Sequence, residues 1–222
     1  MKNNFLKKYI DDTPIRFSTK ENENENLFKN INRLLNFIGI SRIETGTDLL
    51  DLGSGDGSFY RYCKKHGIQC EFTDGSVDNI DFEKDKLKFE NEKFDFILMN
   101  SVIEHLHNPI NILNESRRVL KKDGILILIT PNFRYAYKNF YDDPTHVQPY
   151  THISIEKILK ITDYTQIKTY PFLINKPLLY WNLPFKFFLA SALPFKNHTY
   201  KKFPIPRFLR GNSTALICVC SK

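Results

Sequence analysis

The chain has 222 residues, of which 41% are hydrophobic and 26% charged, a composition that fits one soluble domain with a sizeable core. The opening MKNNFLKKYIDD lacks the apolar core of a signal peptide. The longest apolar stretch, Leu178 to Phe195, is broken by Pro184, Lys186 and Pro194, so neither export nor a bilayer-spanning helix of roughly 20 apolar residues is expected. The net charge of +7 is unevenly placed: residues 164–222 hold nine Lys and Arg and no Asp or Glu, which leaves the first 163 residues slightly acidic.

In chain order, ENENEN (Glu21 to Asn26) is expected to open a helix. Its apolar residues Leu27, Ile31, Leu34, Leu35 and Ile38 follow helical spacing, and Gly39 ends it. From Thr47 strands and helices alternate. TDLLDL, bounded by glycines, reads as a buried strand, and Phe59 to His66 as the helix behind it. IQCEFT is a second strand ending at Asp74, Asn79 to Glu83 a third, and FDFILMN (Phe94 to Asn100) a fourth. Pro109 to Lys121 is helical, with Ile112, Leu113, Val119 and Leu120 inward, and Lys122-Asp123-Gly124 stops it. GILILIT is apolar throughout, as a strand covered on both faces must be. Ser154 to Ile161 gives another helix, and Gln166 to Tyr170 and Thr214 to Cys220 the last two strands. Such alternation implies crossover units, a mainly parallel seven-stranded sheet and helices on both faces. In sheets of this kind ligands bind beyond the carboxyl ends of the strands, where strand order reverses.

Two stretches fall outside that scaffold. Pro131 to Thr151 is dense in polar and aromatic residues, and Phe172 to Arg210 is long, aromatic and proline-rich. Long loops in a compact domain usually serve binding or closure.

The chemistry begins at Asp51-Leu52-Gly53-Ser54-Gly55-Asp56-Gly57, between the first strand and its helix. Glycine lets a backbone turn tightly and approach a ligand. The spacing G-x-G-x-G is one residue shorter than the dinucleotide fingerprint. An acidic Asp51 at the strand end would repel a pyrophosphate and suits an ammonium group. Asp74, closing the second strand, can accept both hydroxyls of a ribose. A tight turn at the glycines and a turn-forming role for Asp74 in Thr-Asp-Gly-Ser are the bland alternatives.

LLDLGSGDGSF, FDFILMNSVIEHLHNP and ESRRVLKKDGILILITPN occur in that order. They resemble three consecutive motifs of the small-molecule class I methyltransferases that use S-adenosylmethionine (SAM), in the branch related to ubiquinone-biosynthesis O-methyltransferases. The resemblance covers roughly Leu49 to Asn132. DDPTHVQPYT (Asp142 to Thr151) is similar to a segment of bacterial members of that branch, many from surface-polysaccharide clusters. The resemblance implies an α/β, Rossmann-like fold with a C-terminal aromatic and basic insertion. The chain reads as a single domain with a helical cover (1–45), a cofactor-binding core (46–171), an insertion (172–210) and a last strand (211–222). The resemblance implies SAM as cofactor and S-adenosylhomocysteine as product. By position, Asp51, Gly53, Ser54, Gly55 and Gly57 would line the methionine side, and Asp74 with Gly75 the ribose. Glu83 would meet the adenine, and Asn100 and Ser101 would border the methyl group. One departure is that Ser76 to Asn79 leaves no room for the helix that relatives carry between strands two and three. Asp81 and Asp85 therefore compete with Glu83, and the adenine end is expected to be more open.

The methyl of a sulfonium is already activated, so transfer to a hydroxyl needs positioning and a base, for which histidine is suited near neutral pH. His146, in the loop expected over the acceptor, is the first candidate and His105 the second, with His152 weaker. His66, His107 and His198 read as surface residues. Each candidate also has a structural reading, as a loop contact or cap. Glu104 and His105 could contribute to a divalent-metal site, but no further ligand is evident, and no metal is expected. The four cysteines contain no Cys-x-x-Cys pair and read as buried thiols of a reducing compartment.

The cationic C-terminal quarter points to an anionic partner: a phosphorylated or nucleotide-linked substrate, an acidic membrane face or nucleic acid. With it, the resemblance to members from surface-polysaccharide clusters implies a small anionic acceptor, such as a sugar, a sugar phosphate or a phosphate-derived group of a capsule or surface glycan. A solvated basic face is the plain alternative. A nucleic-acid methyltransferase is the rival, yet the fourth strand ends Asn-Ser-Val-Ile without a base-clamping motif, and no RNA-binding module is visible. A non-catalytic partner subunit is the other rival. Three roles suit residues 172–195: a lid over the acceptor, an amphipathic patch on an acidic membrane face, or a homodimer interface. The expected location is the cytoplasm, with peripheral contact at the inner membrane face.

Overall fold

The computed structural model describes residues 17–172, 195–196, 210–212 and 215–222. Helix α1 (Phe17–Phe37) buries Ile31, Leu34 and Leu35. Gly39, at φ 78°, ends it, and Ile40 N donates back to Leu35 O at 2.9 Å. The helix is already formed at Phe17, so ENENEN lies within it rather than at its start. Asn32 docks the helix by exchanging two hydrogen bonds with the backbone of Ile43 (2.8 and 2.9 Å).

The core follows as β1 (Asp48–Leu52), α2 (Ser58–Lys65), β2 (Gln69–Thr73), β3 (Phe94–Asn100), α3 (Ile110–Val119), β4 (Leu120–Pro131), the short α4 (Phe133–Ala136), α5 (His152–Ile161) and β5 (Thr165–Pro171). Two short strands, β6 (Phe195–Lys196) and β7 (Arg210–Asn212), pair in parallel apart from the main sheet, and β8 (Ala215–Ser221) ends the series. The main sheet runs β2-β1-β3-β4-β8-β5. The first four strands are parallel, and β8 is antiparallel to both β4 and β5. The chain leaves β1 for β2 on one side and then returns to β3 on the other. The crevice between the carboxyl ends of β1 and β3 is therefore the switch point of this fold.

Alternation along the strands builds two cores. Leu50, Leu52, Ile97, Met99, Leu126 and Leu128 face α3 and α5. Leu49, Phe96, Leu98, Ile125, Ile127 and Ile129 face α1 and α2. Burying a Leu or Ile in such a core contributes roughly 1.5–3 kcal/mol.

The expected third strand at 79–83 is not formed, and the main sheet has six strands among the described residues. The reason is a supply of other partners for that backbone. Lys84 N and Asp85 N turn back to Asp81 O (2.9 and 2.7 Å). Asn111 Nδ2 donates to Phe82 O and Asp85 O, Glu115 Oε2 accepts from Leu87 N, and Arg118 donates to Leu87 O and Phe89 O. Side chains of α3 thus do the work of a neighbouring strand. Ile80, Phe82 and Leu87 still reach the core.

Helix α3 stops at Val119, two residues early, because Lys121 is drawn into β4, where its Nζ bridges Asp48 (2.8 Å) and Asp95 (2.9 Å). All four cysteines are buried free thiols. No helix among the described residues is long and apolar enough to cross a membrane. Most of 172–210, and with it the choice between lid, membrane patch and dimer interface, lies outside the described residues, as does His198.

Candidate functional site

The loop after β1 is shaped by Gly53, Gly55 and Gly57, at φ 79°, 56° and 68°. A side chain in this left-handed region costs roughly 1–2 kcal/mol. Gly53 has a second constraint: a Cβ there would lie 2.2 Å from Cγ2 of Val102, just past β3. At Gly55 a Cβ would meet nothing within 4 Å, which is open space above the loop.

Hydrogen bonds join this loop to the end of β2. Gly53 N and Ser54 N donate to Thr73 O (2.8 and 3.3 Å), and Gly55 N donates to Asp74 Oδ2 at 2.9 Å. Asp74 Oδ1 accepts from Ser76 N (2.9 Å) and Ser76 Oγ (2.6 Å). Asp78 Oδ2 secures the strand end through Thr73 Oγ1 (2.8 Å) and Asp74 N (3.0 Å). Gly75 is kept small by Ile80 O, 3.1 Å from where a Cβ would sit.

Asp51 is buried with no hydrogen-bond partner on Oδ2, and the buried Oγ of Ser54 also has none. Burial raises the Asp51 carboxyl to about 7, reinforced by the charges of Asp74 and Asp56. A cation placed against it would restore its charge and satisfy the orphaned oxygen. The α-ammonium of SAM is such a group.

Asn100 is half-buried at the end of β3, and Ser101, at φ 56°, is tied by its amide to Ile129 O (2.9 Å). Glu83 is half-buried, and its Oε1 accepts from His107 N at 3.1 Å. Its competitors are spent inside their own turn, Asp81 on Glu83 N and Asp85 on Asp81 N.

A second group gathers beyond β3 and β4. Glu104 sits fully buried in a short 3-10 turn (Ile103–His105), with Oε2 accepting from Thr130 Oγ1 at 3.0 Å and Oε1 unpartnered. Burial raises its carboxyl to about 7. The Glu104 carbonyl accepts from Val147 N and Gln148 N (2.9 and 3.0 Å), which folds the DDPTHVQPYT loop onto it. That fold brings His146 beside His105, with ring centroids 4.8 Å apart.

Both imidazoles have their tautomer fixed by neighbours. His146 Nδ1 lies 2.6 Å from Phe140 O, a carbonyl that only accepts. His105 Nδ1 lies 2.8 Å from Thr145 Oγ1, whose proton already goes to Asp143 Oδ1 at 2.6 Å. Each Nδ1 therefore carries the hydrogen and each Nε2 a lone pair. Burial, then the neighbouring His146, holds His105 below its ordinary value. Ligand atoms of Glu104, His105 and His146 all lie within 4.8 Å of one another, so the fold supplies the third member of a potential divalent-cation set. His152 opens α5 behind a Thr151–Ser154 capping box. His66 and His107 are exposed, as expected.

Three contributors escape a sequence reading: Val102 as the wall behind Gly53, and Asn132 and Tyr150 as buried polar side chains without partners. Only the position of Asn132 directly after an apolar strand hints at a site.

The sequence matches a family model described as a methyltransferase domain over residues 19–169. The chain belongs to the methyltransferase-domain family. This methyltransferase is 31% identical over 100 residues to the ubiquinone biosynthesis O-methyltransferase of Pelagibacter ubique, covering 38% of the chain and 42% of that relative. It is 30% identical over 106 residues to the sarcosine/dimethylglycine N-methyltransferase of Aphanothece halophytica, covering 39% and 38%. The chain thus spans less than half the length of the curated relatives it matches. The crystal structure of a SAM-dependent methyltransferase from Archaeoglobus fulgidus shares the fold at a TM-score of 0.56 and 18% identity, over 90% of this chain and 94% of that one. Phosphoethanolamine N-methyltransferase 2 of Haemonchus contortus, solved with phosphomonomethylethanolamine and S-adenosylhomocysteine, shares it at 0.53 and 19%, over 87% and 52%. The methyltransferase is Rossmann-like, and its cofactor is SAM.

Proposed function

We propose that the methyltransferase moves the methyl group of SAM to a hydroxyl oxygen of a small anionic acceptor, a sugar, a sugar phosphate or a phosphate-derived group of a bacterial surface glycan. The observation that carries the oxygen chemistry is the pair of imidazoles at the mouth of the crevice, each with Nδ1 engaged and Nε2 free to accept a proton. The anionic character rests on the nine basic residues between 164 and 222.

In this reading Asp51 and Ser54 hold the methionine end, Gly53, Gly55 and Gly57 let it approach, and Asp74 with Gly75 receives the ribose. Glu83 borders the adenine, and Asn100 and Ser101 border the methyl. When bound, SAM supplies a methyl group already activated by its sulfonium. The protein's own part is orientation and the proton. His146 Nε2 would take the acceptor's hydroxyl proton as the oxygen–carbon bond forms and the sulfur–carbon bond breaks, S-adenosylhomocysteine being the leaving product. His105, packed beside His146, braces its ring. The site lies beyond the carboxyl ends of β1, β3 and β4, where the fold leaves its crevice.

The test is incubation of the protein and SAM with a panel of phosphorylated and nucleotide-linked sugars, read by mass spectrometry. One member is expected to gain a single methyl group on oxygen. A panel with no methylated member, alongside methylation of an amine or a nucleic acid, overturns the reading.

A further inference from the structure

Buried polar groups without partners are costly, roughly 1–3 kcal/mol each, and here three such side chains lie together outside the cofactor loop. Asn132 is 0% exposed, and neither Nδ2 nor Oδ1 is bonded. Tyr150 is 3% exposed with its hydroxyl unbonded, and Glu104 is 0% exposed with Oε1 unbonded. Their proximity comes from the fold. Asn132 and Tyr150 form an isolated parallel bridge, with Phe133 N donating to Tyr150 O at 2.8 Å. Thr130, the partner of Glu104, stands two residues before Asn132, hence on the same side of the chain as it leaves β4. The negative charge of Glu104 is close enough to help hold the Tyr150 hydroxyl protonated, after burial itself.

The inventory of unmet groups defines the ligand. Asn132 offers two donor hydrogens and an acceptor, Tyr150 one donor and an acceptor, and Glu104 Oε1 an acceptor. A phosphate or carboxylate only accepts, and would meet Asn132 Oδ1 and Glu104 Oε1 with repulsion. An ammonium only donates, and would leave Asn132 Nδ2 unmet. A hydroxyl does both; one brings a single hydrogen and two lone pairs, whereas two adjacent hydroxyls bring two hydrogens and four lone pairs, which meet all three donors and two of the three acceptors. We propose that Asn132, Tyr150 and Glu104 form a recognition subsite for two adjacent, non-reacting hydroxyls of the acceptor, as a sugar ring presents them. The subsite holds the acceptor so that a neighbouring hydroxyl reaches His146 Nε2. This deepens, and rests on, the assignment of the His105–His146 side of the crevice to the acceptor. The acceptor's charge then lies away from these three side chains, and its neutral, hydroxylated end meets them.

The test uses the full chain loaded with S-adenosylhomocysteine, two probes, cis-cyclohexane-1,2-diol and cyclohexanol, and saturation-transfer NMR. The diol is expected to receive saturation and cyclohexanol not, with the diol signal lost in Tyr150→Phe and Asn132→Ala. Equal transfer to both probes, no transfer to the diol, or a diol signal that survives both variants overturns the subsite. Thermal unfolding separates recognition from architecture. Tyr150→Phe is expected to keep or raise the midpoint, because an unmet hydroxyl is removed, whereas a lowered midpoint assigns the hydroxyl a structural partner. With an acceptor found in the sugar panel, Tyr150→Phe is expected to raise KM roughly tenfold, the loss of about one hydrogen bond, with a smaller change in kcat. Unchanged KM defeats the subsite and leaves oxygen methylation standing. Diol binding without any O-methylated product defeats oxygen methylation and leaves the subsite standing.

Discussion

The amide of Gly55 donates a 2.9 Å hydrogen bond to Oδ2 of Asp74, so the loop after β1 and the carboxylate after β2 form one unit. In the proposed site Asp74 therefore has two jobs: it shapes the glycine loop and receives the ribose. Asp74→Ala is expected to lower SAM affinity by roughly ten- to a hundredfold, the loss of one or two charge-assisted bonds. It should also cost about 1–3 kcal/mol of stability from the orphaned amides of Gly55 and Ser76. Titration calorimetry and urea unfolding measure the two. Unchanged SAM affinity removes Asp74 from the site.

Gly53 and Gly55 share a left-handed backbone but differ in what surrounds them. Gly53→Ala drives its methyl into Val102, and is expected to destabilise by roughly 2–5 kcal/mol through strain and overpacking together. Val102→Ala should return part of that loss. Gly55→Ala should cost only about 1–2 kcal/mol, yet weaken SAM binding strongly if the loop lines the methionine side as proposed. Equal stability of the two variants in denaturant would contradict the packing seen here.

Asp51 titrates near 7, so its charge is absent in mildly acidic solution. If it holds the ammonium of SAM, affinity should fall about tenfold per pH unit below 7. Stability moves the other way. Between the ordinary carboxylate value of about 3.9 and 7 the folded protein holds a proton that the unfolded chain has released. Rising pH through that window therefore lowers stability. Asp51→Asn is expected to flatten both profiles, raise stability at pH 8 and bind SAM weakly. Affinity that does not change between pH 6 and 8 in the unaltered protein refutes the pairing.

His146→Ala is expected to lower kcat by roughly 10²–10⁴, the usual worth of a general base, with SAM affinity unchanged. His105→Ala should cost less. Chelation by EDTA is expected to leave the rate intact. A rate that collapses and returns with a divalent cation would assign Glu104, His105 and His146 to that cation instead.

Much of the fold, and the glycine loop of the candidate site, was legible in the chain itself. Strands covered on both faces must be apolar throughout, as ILILI between Gly124 and Thr130 is, and helices must repeat at 3.6 residues. Only glycine turns the chain tightly three times within five residues, so the loop after Asp51 announces itself locally. The lost third strand did not, because its absence depends on Asn111, Glu115 and Arg118, about 30 residues away, supplying its hydrogen bonds. The same holds for the acceptor half. His146 meets His105 only because Val147 and Gln148 bond to the carbonyl of Glu104. That Asn132, Tyr150 and Glu104 lack partners is a statement about what surrounds them. Composition and period determine elements and their faces, while the pairing of distant polar groups is decided only when the backbone closes around them.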